Sequence, residues 1–408
     1  MSRWLFFWLK LSRRLWWRAG LYAALGVFTA LAAVFLRPWV PDVMAERLGG
    51  ESVEEILAVL ASSLLAVATF SLGAMVTAYT SVSSSATPRA AGLVTGDEAV
   101  QKALATFVGA FLYAIVGLTA INAQYYGAEG RAIIFLVSLF VVGLVAFRLL
   151  AWVDRLSSLA RLSHTIQQIE TRAADALIHR LTQPRLGGSA GALPDGPTVN
   201  APATGYVQNV DPKRLQACAT AIEGRIQILV QPGDLVRKGD PLARFEGEAD
   251  DARRARICSA FVIGDNRSYD QDPRYGAVVL GEVTARALSP GVNDPGTAVA
   301  VMAAALRVAE VWAEGCDKPV EAGCDRLIGP ALSAKDLIDD LFGPSMRYGD
   351  ADLMVAMRLQ KTLRALARDP GSVGRAAADL ADQALSRSLR ALTEDDDRAR
   401  LREAAGAA

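Results

Sequence analysis

The stretch ILAVLASSLLAVATFSLGAMVTAYTSVSSSATPR, residues 56–89, contains no charged residue before Arg89. A transmembrane helix needs roughly 17–25 mainly apolar residues, so this stretch is long enough to cross a bilayer. Serine, threonine, glycine and alanine are frequent in it, and the hydroxyl residues increase towards its C-terminal end. The stretch therefore predicts a membrane span over about residues 56–80, with a polar side that needs its own explanation.

Three further segments near the N-terminus also lack charged residues, so we predict four spans. The spans cover about residues 19–36, 56–80, 103–124 and 132–153, and the last one includes Arg148 because its long side chain reaches the headgroups. Buried helices of a soluble protein are the alternative, but they would alternate with polar faces. Tryptophan rings settle at the water–lipid interface. Those at or just beyond the ends of these segments are Trp4, Trp8, Trp16, Trp17, Trp39 and Trp152.

Charges in the connecting segments predict the orientation. Residues 1–18 form a basic amphipathic segment with five lysines or arginines and no acid, which by the positive-inside rule keeps the N-terminus cytoplasmic. The loop 37–55 is acidic on balance and belongs outside, whereas arginines between residues 148 and 172 place the rest of the chain inside. A cleaved signal peptide is the alternative for the first segment, but Arg37-Pro38 offers no small-residue cleavage site.

The second predicted span carries a face of small and hydroxyl-bearing residues. At 3.6 residues per turn this face contains Ser63, Ala66, Phe70, Gly73, Thr77, Thr80, Ser84 and Thr87. One interpretation is close helix packing, in which Ser and Thr bond to carbonyls of the preceding turn. The other is a water-filled path with an apolar gate. For that path the candidate pore-lining or gate residues are Phe70, Gly73, Thr77, Thr80, Ser84 and Arg89.

A pore of four helices per chain requires self-association. Residues 154–181 carry an apolar seam at spacings of three, four and seven, which predicts a stalk helix that continues the fourth span. The seam either joins copies of the chain or packs on the chain's own C-terminal part, and both alternatives remain open. The spans contain no carboxylate, which disfavours a proton-coupled transporter.

The remainder is predicted to be a cytoplasmic α+β region. Residues 182–204 are rich in Gly, Pro and Ala and predict a linker. Residues 205–250 contain short strands, PGD and GDP turns and a helical insert near Pro212–Ile222. Part of this segment, GRIQILVQPGDLVRKGDPLARFE, resembles half of a biotinyl/lipoyl-type barrel-sandwich module. Lys238 does not occupy the hairpin tip where that family carries a modified lysine, so the resemblance implies a rigid β module.

Residues 251–393 predict a C-terminal helical bundle, and residues 394–408 predict a frayed tail. The expected helices cover about residues 275–288, 295–314, 334–342, 350–367 and 372–392. Between the first two lies SPGVNDPGTA, in which proline after Ser289 ends one helix and Asp294 caps the next. This corner is a rigid turn or a site for an ion, a small anion or a neighbouring subunit. Its candidate residues are Arg286, Ser289, Asn293, Asp294 and Thr297.

Enzyme signatures are weak. The nucleotide-binding patterns GxxxxGK[ST] and GxGxxG do not occur, and two histidines leave few general bases. The four cysteines follow no zinc spacing and are expected to be reduced thiols. We therefore expect no enzyme, no catalytic residue, no metal and no cofactor. The expected partners are the lipid bilayer, further copies of the chain and inorganic ions, and we expect no nucleic acid.

Several segments together resemble one bacterial family. They are SLGAMVTAYTSVSSSATPR, QKALATFVGAFLYAIVGL, GYVQNVD with QPGDLVRKGDPL, and DPRYGAVVLGEVTARALSPGVNDPGTA. The family is known as predicted membrane proteins with a domain of unknown function, so the resemblance implies a bacterial cytoplasmic-membrane protein and no activity. Our hypothesis is a homo-oligomeric ion channel whose second span lines the pore and whose cytoplasmic domain regulates it. The alternative is a non-conducting, membrane-anchored scaffold or sensor that binds a partner.

Overall fold

The structure, a computed structural model, describes residues 52–123, 127–159 and 161–406 and a few positions between residues 17 and 32. The predicted segments 1–18 and 19–36 lie outside the continuously described residues. The described chain forms two compact units. The span unit contains residues 52–84 and 91–164, and the C-terminal unit contains residues 85–90 and 165–406.

The span unit is helical. Its helices are α1 (Ser52–Ser85), the second part of α2 (Pro88–Thr95), α3 (Glu98–Asn122) and α4 (Ala128–Leu159), and α2 begins in the C-terminal unit. α3 and α4 are antiparallel, because Asp97 before α3 bonds to Arg155 near the end of α4, while Tyr113 and Ser138 share a hydrogen bond of 3.1 Å. α1 packs on α3 where Gly117 lets the Leu57 side chain approach. The buried side of α1 consists of Val53, Leu57, Leu60, Ala61, Leu64, Ala68, Ser71, Ala78 and Val82.

Four of the described helices are long and apolar enough to cross a membrane, judged by length and composition. They are Ser52–Ser85, Glu98–Asn122, Glu129–Leu156 and Pro295–Ala313. The first three coincide with the second, third and fourth predicted spans. The last belongs to the region predicted as C-terminal helices, and it packs inside the C-terminal unit.

Two small sheets form the first part of the C-terminal unit. Their strands are β1 (Thr198–Asn200), β2 (Gly205–Val210), β3 (Ile226–Ile228), β4 (Leu235–Val236), β5 (Pro241–Phe245), β6 (Phe261–Gly264) and β7 (Leu327–Ile328). One sheet has the order β1-β5-β3-β7, in which only β3 and β7 are parallel, and the other has the antiparallel order β4-β2-β6. Helices α6 (Pro212–Ala221) and α7 (Asp251–Cys258) share the apolar core of these sheets through Leu215 and Ile257.

The segment predicted as a linker, residues 182–204, is instead built into this core. It contributes β1, buries Leu186, Leu193 and Val199, and its Ser189 amide donates to the Leu327 carbonyl over 2.8 Å. Its partners lie in β5 and β7, far along the chain, so its local composition gave no sign of them. For the same reason β6 and β7 extend the sheets beyond the predicted boundary at residue 250.

Six helices complete the C-terminal unit. They are α8 (Tyr275–Ala287), α9 (Pro295–Ala313), α10 (Ala334–Tyr348), α11 (Leu353–Leu366), α12 (Ser372–Ala391) and α13 (Asp395–Gly406). Four of the first five agree with the predicted helices to within a few residues. The exception is α10, which continues through Pro344 to Tyr348. The predicted frayed tail is wrong for α13, because Leu401 is buried against Ala356 and Leu392 and three acids lie in the first turn of the helix.

The predicted stalk is also different. α4 ends at Leu159, and a separate helix, α5 (Leu162–Thr182), follows it. Ile166, Ala173 and Leu177 of the seam are buried, and a side chain at Gly276 of α8 would overlap Ala173. Of the two alternatives for the seam, packing on the chain's own C-terminal part therefore accounts for its buried residues.

Candidate functional site

The predicted pore face of α1 is exposed in the single chain. Phe70 is 66% exposed, and a Cβ built at Gly73 would meet no atom within 4 Å. Exposed together on this side are Ser63, Ala66, Phe70, Gly73, Thr77, Thr80 and Ser84. Thr87 departs from the face, because it is buried and its hydroxyl accepts from the Ala90 amide over 3.1 Å. Within the described residues, the face is therefore left unpacked.

The hydroxyls on this face bond to their own helix. Thr77 donates to the Gly73 carbonyl over 3.0 Å, Thr80 to Val76 over 3.1 Å, and Ser84 to Ser81 over 2.9 Å. Such bonds to the preceding turn satisfy the donor without water. The hydroxyl hydrogens are thus already used, whereas the oxygen lone pairs stay open to a further donor or cation.

Arg89 follows the end of α1 and belongs to the C-terminal unit. Its Nη1 donates to Oε1 of Glu282 on α8 over 2.6 Å, and this bond together with the negative charge of Glu282 raises the pKa of Arg89. Ala86 and Ala90 on either side of it are fully buried. The residues that follow α1 are therefore fixed to α8 within a few positions of the C-terminal end of α1.

The charges of this ion pair act on two tyrosines near the start of α8, Tyr269 and Tyr275. The rings of Tyr269 and Tyr275 are 4.5 Å apart, and the guanidinium of Arg267 lies 5.3 Å from the centre of the Tyr275 ring. Burial and then the negative charges of neighbouring groups, including Glu282, raise the pKa of Tyr269, and the positive charges of Arg172 and Arg89 oppose that shift. Among the described residues, the buried Tyr269 hydroxyl and Oε2 of Glu282 have no hydrogen-bond partner.

A buried carboxylate fixes the start of α8. Asp272 is 1% exposed, accepts from the amides of Arg274 and Tyr275 over 3.0 and 3.1 Å, and binds Arg267 through both oxygens over 2.7 and 3.0 Å. Burial raises the pKa of Asp272 although the Arg267 bond opposes the shift. Gly233, at φ 101°, leaves no room for a side chain beside this carboxylate. α8 therefore presents Glu282 from a rigid base.

The predicted corner is a self-contained turn. Asn293 adopts a left-handed φ of 50°, and its amide donates to the Ser289 carbonyl over 2.9 Å. Asp294 caps α9, because it accepts from the Thr297 amide over 3.0 Å and from the Thr297 hydroxyl over 2.6 Å. Ser289 bonds to the Arg286 carbonyl over 2.7 Å, and the Arg286 side chain is exposed. Arg286 follows Glu282 by one turn of α8, so the corner connects to the Arg89 site through that helix.

A groove of about 540 Å³ lies beside Glu282. Ala285 of α8, Asp339 and Met346 of α10 and Gln383 of α12 line it. A second depression of about 470 Å³ shares Met346 and Gln383 and is lined further on by arginines. The two depressions together form an open surface with acidic and basic ends.

Other reactive residues form no chemical site in the described part of the chain. The four cysteines are free thiols, and no group of three or more His, Cys, Asp or Glu is placed to hold a metal ion. The sequence GGSAG at residues 187–191 fits the serine-hydrolase pattern GxSxG. Its Ser189 lies beside β7 and not at a strand-to-helix turn, and its hydroxyl donates to the Leu327 carbonyl over 3.1 Å.

Glu282 is the residue that the sequence did not single out. It is the one acid in the sequence of α8, a helix with an otherwise largely apolar composition. An isolated acid in such a helix is a signal, but its partner Arg89 is 193 residues away and no local pattern joins them.

A family model described as predicted membrane protein (DUF2254) matches residues 12–365. This range covers the segments that carry the sequence resemblance and confirms it. An uncharacterised protein of Mycobacterium bovis is 27% identical over 225 residues, which are 50% of this chain and 41% of that protein. An uncharacterised protein of Mycobacterium tuberculosis matches equally well. The chain thus covers less than half of the length of these relatives, and no solved structure matches it.

Proposed function

We propose that this chain, which belongs to the family of predicted membrane proteins (DUF2254), is a homo-oligomeric ion channel. In this proposal the exposed face of α1 lines the path, Phe70 is the gate, and the C-terminal unit regulates it. We place the protein in the bacterial cytoplasmic membrane with both termini in the cytoplasm. The basic segment 1–18 and the bacterial source of the relatives support that placement.

The exposed face of α1 is the observation that carries the proposal. A helix that met only lipid on this side would have no use for a row of Gly, Ala, Ser and Thr, whereas such residues allow close approach of helices in membranes. Contact with the same face of other copies would bring the hydroxyl oxygens of Thr77, Thr80 and Ser84 around one axis. An exposed phenylalanine among them would then form an apolar constriction.

The Arg89–Glu282 ion pair supports regulation by the C-terminal unit. α1 continues directly into the residues that this pair fixes to α8. A movement of α8 is therefore transmitted to the end of α1 without a long flexible segment. The corner at residues 289–297 limits the other end of α8 and keeps the helix rigid.

A membrane-anchored scaffold or sensor without conduction is the second candidate. The hydroxyls of α1 already bond to their own helix and need no water, which favours a closed packing of the spans. The groove beside Glu282 would then bind the partner. In this case α1 still associates with other copies, but it leaves no conduit.

Ion flux from liposomes that contain the purified full-length protein tests the proposal. Phe70→Ala removes the gate and should increase the leak. Leu72→Ala is the matched control, because Leu72 is also an exposed large apolar residue of α1 but lies on a different side of the helix. In single-cysteine variants without the native thiols, Thr77→Cys should form disulfides between copies, and Leu72→Cys should not.

The results separate the two candidates. A leak that rises with Phe70→Ala and not with Leu72→Ala supports the channel. Vesicles that stay tight with every variant, together with Thr77→Cys disulfides, contradict conduction and support the scaffold. If Thr77→Cys and Leu72→Cys cross-link equally, the α1 face is not the contact between copies, and both the pore and its lining are wrong.

A further inference from the structure

We propose that Arg89 and Arg172 bind the phosphate group of an anionic phospholipid, and that this phosphate competes with Glu282 for Arg89. The site stands on the geometry of the C-terminal unit. Its effect on α1, the release of the helix end from α8, rests on the proposed function above. The ligand chemistry is a phosphate ester with one negative charge, and the source to which we commit is the lipid headgroup.

Arg89 has donors to spare. Only its Nη1 bonds to Glu282, and its side chain is 57% exposed. A guanidinium carries five N–H donors in a planar fork that suits phosphate oxygens. The bond to Glu282 joins one nitrogen to one oxygen. It is therefore weaker than a bidentate pair, and a phosphate can compete with it.

Arg172 supplies the second positive charge. It lies on α5, is exposed, and forms no ion pair with any of the described residues. Arg172 precedes Ala173, which lies against Gly276 in the first turn of α8. Arg89 binds Glu282 nearly two turns further along the same helix, so both arginines lie beside the first two turns of α8. Two cations near one carboxylate leave a net positive charge there, and a singly charged anion balances it.

Glu282 has an alternative partner when Arg89 turns to phosphate. The Tyr269 hydroxyl is a buried donor without an acceptor, and Oε2 of Glu282 is a buried acceptor without a donor. The Tyr269 ring packs on Tyr275 over 4.5 Å, and Tyr275 and Glu282 are two turns apart on one face of α8, so Tyr269 lies on the side of the helix that carries Glu282. A hydrogen bond between these two atoms would satisfy both and compensate for the lost bond to Arg89.

The chain connection limits how far Arg89 can lie from the end of the α1 candidate span. Arg89 is four residues after Ser85, the last residue of the α1 candidate span. A fully extended peptide of that length spans at most about 14 Å. The cytoplasmic surface of a membrane carries anionic lipids that attract basic residues near the ends of spans. A phospholipid in the bilayer is therefore available to Arg89 at high local concentration.

Native mass spectrometry of the purified full-length protein, titrated with phosphatidylglycerol or phosphatidylcholine, tests the site. We expect preference for phosphatidylglycerol and a loss of about fivefold in its affinity for Arg89→Gln and for Arg172→Gln, since each contact contributes about 1 kcal/mol. Arg402→Gln, an exposed arginine of α13, is the control and should change nothing. Glu282→Gln removes the charge of the competitor and should raise the affinity, by up to about fivefold.

The direction of the Glu282→Gln effect separates competition from a merely structural role, because damage to the fold would lower lipid binding. Equal affinity for the two lipids would contradict the site. The site would also be contradicted if Arg172→Gln, like Arg402→Gln, left the affinity for phosphatidylglycerol unchanged. Inorganic phosphate that binds the wild type but not Arg172→Gln, without preference among lipids, overturns the lipid as the source. The lipid-binding measurement does not depend on ion conduction. Vesicles that stay tight would therefore contradict the channel but not the lipid site.

Discussion

α4 and α9 have similar apolar character but opposite surroundings. Both are long and apolar enough to cross a membrane. α4 exposes large apolar side chains on several sides, with Phe140 68% and Leu150 73% exposed. α9 buries Val301, Ala305 and Val308 against the other helices of its unit. Its exposed stripe is formed by Ala300, Ala303, Arg307 and Glu310.

The difference shows that apolar length does not by itself identify a membrane span. α9 is apolar because it is rich in alanine and lies at the centre of a helical core, and it keeps charges on its one open side. Among its described residues, α4 has no comparable open side that carries charges. The apolar surface that α4 exposes therefore has to be covered by lipid or by protein. Charge substitutions in the two helices distinguish a helix buried in a protein core from a helix that spans the membrane.

The largest effect is expected from a charge in the buried side of α9. Ala305→Asp places a carboxylate where no partner exists and should lower the free energy of unfolding by about 4 kcal/mol. Ala303→Asp is the same change two residues earlier on the exposed stripe and should be nearly neutral. Thermal unfolding of the full-length protein in detergent compares them. Equal damage by both would mean that α9 meets lipid on its open side.

A charge on α4 should act through the membrane instead. Phe140→Asp places a carboxylate near the centre of the candidate span, where insertion costs about 2.5–3.5 kcal/mol. We expect a lower fraction of this variant in carbonate-washed membranes than of Phe140→Leu, which keeps an apolar side chain. An exposed position in water would accept the aspartate, so equal recovery of the two variants would contradict the span.

Local sequence signals predicted much of this architecture. The three described spans follow from charge-free length, and the ends of α8 and α9 follow from Ser289-Pro290 and Asp294-Pro295, because these residues act on their own backbone. The exposed face of α1 also follows from helical periodicity. These features depend on residues within one or two turns of each other.

Features that depend on distant residues were missed. Residues 182–204 have the composition of a linker, yet Val199 pairs with Ala243 and Ser189 bonds to Leu327. The ion pair between Arg89 and Glu282 on α8 was not predicted either. An ion pair or a short strand between such positions leaves no periodic trace, so only the folded chain reveals it.

The cap of α9 should have an intermediate effect. Asp294→Ala removes the acceptor for the Thr297 amide and should lower the free energy of unfolding by about 1 kcal/mol, whereas Asp294→Asn keeps an acceptor and should cost less. Bonds from the Thr297 hydroxyl and amide lower the pKa of Asp294, so its charge stabilises the fold above the ordinary pKa and loses this effect as the pH falls through the lowered value.

The pH series provides the check on that cap. The difference in melting temperature between the wild type and Asp294→Asn should be constant near neutral pH and should narrow below about pH 4. A difference that grows on acidification would contradict the role of the ionised carboxylate.

The smallest expected effect concerns the exposed stripe of α9. Arg307 binds Glu170 of α5 through two hydrogen bonds of 2.6 Å, with Glu170 19% and Arg307 56% exposed. Because solvent screens such a pair, we expect a coupling of about 0.5 kcal/mol from a double-mutant cycle of Glu170→Gln and Arg307→Gln. Salt should reduce this coupling if the stripe meets water. In lipid, solvent and salt would not screen the pair. A large coupling that does not change with salt would therefore indicate that α9 is a membrane span like α4.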